Sequence, residues 1–180
     1  MHSIRIFGDH RIIVILADGK IKDDQRSRDL VDAVVKTLPL VESKMIFCAE
    51  GTPTETTERM ERKELQFLST DEIIANKLLD LAHKPLQEAV IAGISGGLLV
   101  ECSTSLPAHE FDICILLAPT CSFYPDIWAS VLIIQTISSV LAFEADTACL
   151  ERNAKKLEDK ATELLGIHTA GSSMNSSLYM

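Results

Sequence analysis

Aromatic residues are scarce in this chain, 5% of the sequence with a single tryptophan, and glycine and proline number only 8 and 6. Beside 47% hydrophobic and 24% charged residues, that scarcity excludes a collagen-like, low-complexity or disordered chain. A basic excess is missing too, since 17 Lys and Arg stand against 26 Asp and Glu for a formal charge of -9. This is the wrong sign for neutralising phosphates and argues against nucleic acid and anionic membranes as partners. The five histidines (His2, His10, His83, His109, His168) contain no H-x-x-x-H, and the five cysteines (Cys48, Cys102, Cys114, Cys121, Cys149) no C-x-x-C. A metal site therefore has no support, and no cofactor is expected. The cysteines, odd in number and mostly inside apolar runs, read as small buried hydrophobes in a reducing cytosol. Met1 to Arg5 lacks the charged head and apolar run of a signal peptide, so a cytoplasmic protein is expected. Ile127 to Phe143 runs 17 residues without a charge, at the bottom of the membrane-spanning range. It contains Gln135, Thr136, Ser138 and Ser139 and has no basic flank. A buried helix, apolar nearly all round and packed between a sheet and a second surface such as another subunit, fits it better.

With 180 residues, the chain is the size of one α/β domain, able to bury roughly 70% of the surface its unfolded form exposes. Ile4 to Phe7 and Arg11 to Ala17 read as antiparallel strands around Gly8-Asp9-His10. Asp23 to Leu38 places Leu30, Val31, Val34, Val35 and Leu38 on one helical face, with Pro39 beyond its end. Lys44 to Ala49 reads as a strand, Gly51 to Thr54 as a loop, Glu58 to Glu64 as a solvated helical turn and Leu65 to Leu68 as a strand. The pattern Ser69-x-x-Glu72 is a capping box for a helix through Leu81. Ala89 to Ala92 reads as a short buried strand, Gly93 to Gly97 as a tight turn and Leu98 to Ser105 as a helix. Phe111 to Ala118 is continuous and apolar, as a central parallel strand should be. Thr147 to Leu165 is an amphipathic helix. The alternation predicts the α/β class: a three-layer sandwich with one mainly parallel, open twisted sheet and helices on both faces. Residues 1–165 form a single domain on this reading, and 166–180, small and polar until its last three residues, a flexible tail.

Gly93-Ile94-Ser95-Gly96-Gly97 matches G-x-S-x-G between a strand and a helix. As a serine hydrolase, the chain would use Ser95 as nucleophile, Asp126 or Asp146 as acid and His168 as base. His168 falls in the tail, however, where nothing would hold its ring to the tolerance such a site needs. A second enzymatic reading makes the turn a phosphate site, its free N–H groups and the Ser95 hydroxyl facing an anion. No P-loop lysine or ribose-binding acid accompanies it. The reading adopted is structural: Gly93, Gly96 and Gly97 let the backbone turn and let helix and strand approach closely. Asp126 is read as the N-cap of the apolar helix, Asp146 as another cap and Glu158 as part of a solvated face.

Other segments carry a resemblance. Gly93-Ile94-Ser95-Gly96-Gly97-Leu98-Leu99 with Glu101, Leu116-Leu117-Ala118-Pro119-Thr120 before Tyr124-Pro125-Asp126, and Ala154-Lys155-Lys156-Leu157-Glu158 resemble the proteasome assembly chaperone 2 family, in particular its archaeal branch. Ile12 to Gly19 with the helix after it resembles an earlier block of that family. Members usually have several dozen residues before the strand that here begins at Ile4, and this chain is expected to lack them. The resemblance implies a fold similar to nucleoside phosphorylases, a homo-oligomer, and a protein-binding role without catalysis as an assembly chaperone or core-particle activator. The ending Leu178-Tyr179-Met180 is similar to the hydrophobic-tyrosine-any motif of proteasome-binding proteins, which implies docking on the α subunits of the core particle.

Overall fold

In the computed structural model, residues 4–17, 24–38, 44–54, 64–104, 111–121 and 126–165 are described. Their elements are β1 (Ile4–Gly8), β2 (Ile13–Ala17), α1 (Asp24–Thr37), β3 (Met45–Thr54), β4 (Gln66–Ser69) and α2 (Glu72–Asp80). After these come β5 (Lys84–Pro85), α3 (Gly93–Thr104), β6 (Asp112–Cys121), α4 (Ile127–Leu141) and α5 (Ala148–Leu165). The Glu58 to Glu64 turn lies, except for Glu64, outside the described residues, as does the 166–180 segment. The chain divides into two compact units, Met1–Ile46 with Gln87–Ile113, and Phe47–Leu86 with Cys114–Met180.

The first unit opens with the expected antiparallel hairpin, in which Ile4 faces Ala17 and Phe7 faces Val14. Asp9 builds its turn. One carboxylate oxygen accepts the N–H of Arg11 at 2.8 Å and that of Ile12 at 3.2 Å, and these bonds hold the carboxyl down to about 2. Helix α1 packs against α3, burying Val31. A Cβ on Gly97 would stand 2.8 Å from a Val31 methyl, so the absence of a side chain there sets how closely the two helices meet.

One expectation fails in this unit. Ala89 to Ala92 is neither strand nor buried, and Val90 is 96% exposed. Instead of extending, the chain folds back at Ile91, whose carbonyl lies against Gly96, and α3 begins at Gly93 rather than at Leu98. The glycine motif is thus the first turn of a helix and not a loop before one.

The four-stranded sheet has the order β3-β6-β4-β5. It is mixed, where a mainly parallel sheet was expected. Strands β4 and β5, joined through α2, are parallel, with Gln66 opposite Lys84. Strand β6 lies beside β4 and runs antiparallel to it, with Phe67 opposite Leu116. Strand–helix–strand alternation implies a parallel neighbour only for strands joined by that crossover, and β6 pairs with a strand that is not the preceding one. The hairpin forms a separate two-stranded sheet, so the single sheet expected is also corrected to two among the described residues. Strand β3 continues through Gly51 to Thr54, a stretch expected to be a loop. Gly51 lies against Thr120 of β6, and as a strand at the end of the order β3 tolerates Pro53.

The core of the second unit is built on β6. Ile115, Leu116 and Ala118 are fully buried, as are Leu65 and Leu78, each large side chain contributing about 1.5–3 kcal/mol. The cap of α2 is Asp71, whose Oδ1 accepts the Ile74 N–H at 2.7 Å, rather than the expected Ser69. The Ser69 hydroxyl instead donates to the Asp71 carbonyl at 2.9 Å. Helix α4 buries Ala129, Val131, Thr136 and Val140, while Ser130, Gln135, Ser139 and Leu141 are exposed. Ala129, Thr136 and Val140 lie on one side of the helix and Val131 on the opposite side, so it is covered on two sides with exposed strips between them, and no helix among the described residues is long and apolar enough to cross a membrane. Helix α5 packs against α4 with Ala154 buried and Arg152, Lys155 and Lys156 exposed. Gln135 Nε2 donates across this contact to Glu151 at 3.2 Å.

Candidate functional site

The sequence points first to the start of α3. Gly93 has φ +71, the left-handed region where glycine carries no penalty, and a Cβ there would meet nothing within 4 Å. Ser95 and Gly96 are buried. A Cβ on Gly96 would lie 2.4 Å from the Ile91 carbonyl oxygen, so this position is fixed by close approach of backbone to backbone. The three glycines therefore have three separate structural tasks, one of conformation and two of contact.

The groups that would make Ser95 a nucleophile are engaged elsewhere or lie outside the described residues. Asp126 accepts the Ala129 N–H at 3.1 Å and caps α4 as expected. Such a cap contributes about 1 kcal/mol. Asp146 accepts the Ala148 N–H at 2.9 Å where α5 begins, also as a cap. His168 and His109 lie outside the described residues. Ser95→Ala is accordingly expected to leave a folded protein, and a serine-directed phosphonate is expected to leave Ser95 unlabelled. Stoichiometric labelling of Ser95 in the native chain would restore the hydrolase reading.

Among the described residues no group of three or more His, Cys, Asp or Glu is placed to hold a metal ion. The cysteine expectation holds for Cys102 and Cys114, both buried, but Cys149 is exposed. Burial pushes the Cys114 thiol up to about 12, which makes it inert as a nucleophile. The partner-binding residues Leu178, Tyr179 and Met180 lie outside the described residues.

One chemical group escaped the sequence reading. His83, 8% exposed, accepts the Leu65 N–H on Nδ1 at 3.2 Å and places Nε2 3.0 Å from the Thr136 hydroxyl. An Nδ1 that accepts is unprotonated, so the ring is neutral with its hydrogen on Nε2, directed at Thr136. Burial lowers the ring's proton affinity, against the pull of the Glu64 carboxylate. Its partners are 18 and 53 residues away in sequence, so no local spacing announces it.

The described residues form an α/β protein with a mixed four-stranded sheet and a glycine-built helix start. Residues 1–165 match the PAC2 family, and the chain belongs to that family. No curated protein matches the sequence. Among solved structures, the chain is similar to Pyrococcus furiosus PbaA, an archaeal homolog of proteasome-assembly chaperone. The identity is 21% and the TM-score 0.76 over 91% of this chain and 66% of that one. It is similar to Pyrococcus furiosus PbaB, an archaeal proteasome activator, at 14% identity and TM-score 0.69, over 91% of this chain and 71% of that one. A proteasome-assembly chaperone homologue from Mycobacterium tuberculosis gives 15% identity and TM-score 0.63, covering 91% and 68% of the two chains. The chain thus spans about two thirds of the length of these structures, and at such identities the likeness is one of fold.

Proposed function

We propose that this protein is a proteasome assembly chaperone or core-particle activator of archaeal type, working in the cytoplasm by binding and without catalysis. The observation that carries the reading is the PAC2 family match over residues 1–165, together with the fold likeness to PbaA and PbaB. In this reading the body is a single domain with a fold similar to nucleoside phosphorylases, and residues 166–180 are a leader that brings Leu178, Tyr179 and Met180 to the core particle. Leu178 supplies apolar contact, Tyr179 a buried ring with a hydroxyl hydrogen bond, and Met180 a terminal carboxylate for a lysine between α subunits. A pull-down of the intact chain from its own cytosol, with partners identified by mass, tests the reading. Recovery of proteasome α subunits is the expected result, and their absence would count against it.

Self-association belongs to the same proposal. The register of the hairpin puts Ile4, Ile6, Ile13 and Ile15 on one face, each 45–69% exposed, with Phe7, Val14 and Leu16 exposed on the other. A lone two-stranded ribbon is marginal in water, and strands apolar on both sides are typical of covered sheets. Sedimentation at micromolar concentration is expected to show an oligomer that Ile6→Asp with Ile15→Asp converts to smaller species. A wild-type monomer would remove this part of the proposal.

A further inference from the structure

His83 closes the end of the β4–β5 pair. The Lys84 N–H donates to the Leu65 carbonyl at 2.9 Å and the Leu86 N–H to the Phe67 carbonyl at 2.7 Å, and between them the two strands share only the pairs Gln66 with Lys84 and Phe67 with Pro85. The ring adds a bond at each of its ends, backward to the Leu65 N–H and outward to Thr136 of α4. We propose that His83 is an acid-sensitive latch that fastens β5 to β4 and α4 when neutral and releases this strand when doubly protonated. The reason is geometric. A second proton must go to Nδ1, where it meets the Leu65 N–H, and two donors facing each other cannot bond. Leu65 is fully buried, so its N–H finds no water in exchange.

The surroundings fix the direction. Helix α4 carries no titratable residue between Ile127 and Leu141, and β4 none between Gln66 and Ser69. Helix α2 brings Glu72, Lys77 and Asp80, and Lys77 donates its ammonium to the Val140 carbonyl at 2.8 Å. Lys84 of β5 is ion-paired with Glu64, the one carboxylate that favours the charged ring, and burial outweighs it. With the native ring below its ordinary value of 6.5, the unfolded or opened form binds the proton better. The latch is therefore complete above about pH 6.5 and weakens as pH falls from there through the native value. Because β5 ends the strand order, its release bares the edge of β4, a template for another extended chain.

The test is amide hydrogen exchange with residue resolution on the full chain at pH 7.5 and 5.5, expressed as protection factors and paired with the ¹⁵N titration of the His83 ring. The neutral ring is expected as the Nε2–H tautomer, titrating below 6.5. Protection at Leu65, Lys84 and Leu86 is expected to fall severalfold, to a limit of about tenfold, between the two pH values, while Ile115 and Leu116 keep theirs. His83→Asn, which offers an acceptor to the Leu65 N–H but does not titrate, is expected to hold protection constant between the two pH values. A ring that protonates without loss of protection, or an equal pH-dependent loss in His83→Asn, would overturn the latch. Should that variant fail to fold, the wild-type comparison of ring and amides decides alone.

Discussion

Gly96→Val is expected to lower the melting temperature more than any other single change at the start of α3. The new Cβ would lie 2.4 Å from the Ile91 carbonyl oxygen and 3.0 Å from its carbon. Both obstacles are backbone, so no side-chain rotation relieves them, and valine adds two methyl groups to the collision. Overpacking of this kind costs about 3 kcal/mol, which at 2–4 °C per kcal/mol for a chain of this size is roughly 6–12 °C. Gly93→Ala is the contrast. There the cost is conformational, because φ is +71 and the space is open, and about 1–2 kcal/mol is expected from the left-handed backbone alone. Circular dichroism melts of both variants check the pair, and an unchanged melting temperature for Gly96→Val would mean that Ile91 does not press on this helix.

The same comparison shows what the sequence could and could not reveal here. It identified the glycines as structural, but a need for positive φ holds at Gly93 and not at Gly96, which sits against a carbonyl five residues back. The strand at β6, the cap at Asp126, the helix α5 and the hairpin were legible because local pattern decides each of them. Strand direction was not legible: β6 takes its orientation from β4, through pairs such as Phe67 with Leu116 that are far apart in sequence. Ala89 to Ala92 misled for the opposite reason, since four apolar residues satisfy a strand pattern while the chain there is turning into α3. His83 was invisible because its role exists only once Leu65 and Thr136 have been brought to it.

The second large effect concerns the end of the chain, where removal of Leu178, Tyr179 and Met180 is expected to abolish core-particle binding without disturbing the fold. An aromatic ring in a pocket and a captured terminal carboxylate are the two strong contacts such a tripeptide can make. A leader rich in Gly and Ser would lose conformational entropy on docking, so a single tail is expected to bind weakly. Several tails on one oligomer would raise avidity by about 10² to 10⁴ if they engage together, which makes the loss on truncation correspondingly steep. Tyr179→Ala and a C-terminal tag that removes the free carboxylate are expected to act alike, since each deletes one of the two contacts.

Co-sedimentation with purified proteasome core particles from the same organism, with intact and truncated chains side by side, tests the central claim most directly. The intact chain is expected in the core-particle fraction, and the chain ending at Ser177, with an unchanged melting temperature, is expected to remain behind. Equal sedimentation of the two would contradict a tail-borne interaction, and absence of both from the core-particle fraction would contradict the proteasome reading itself.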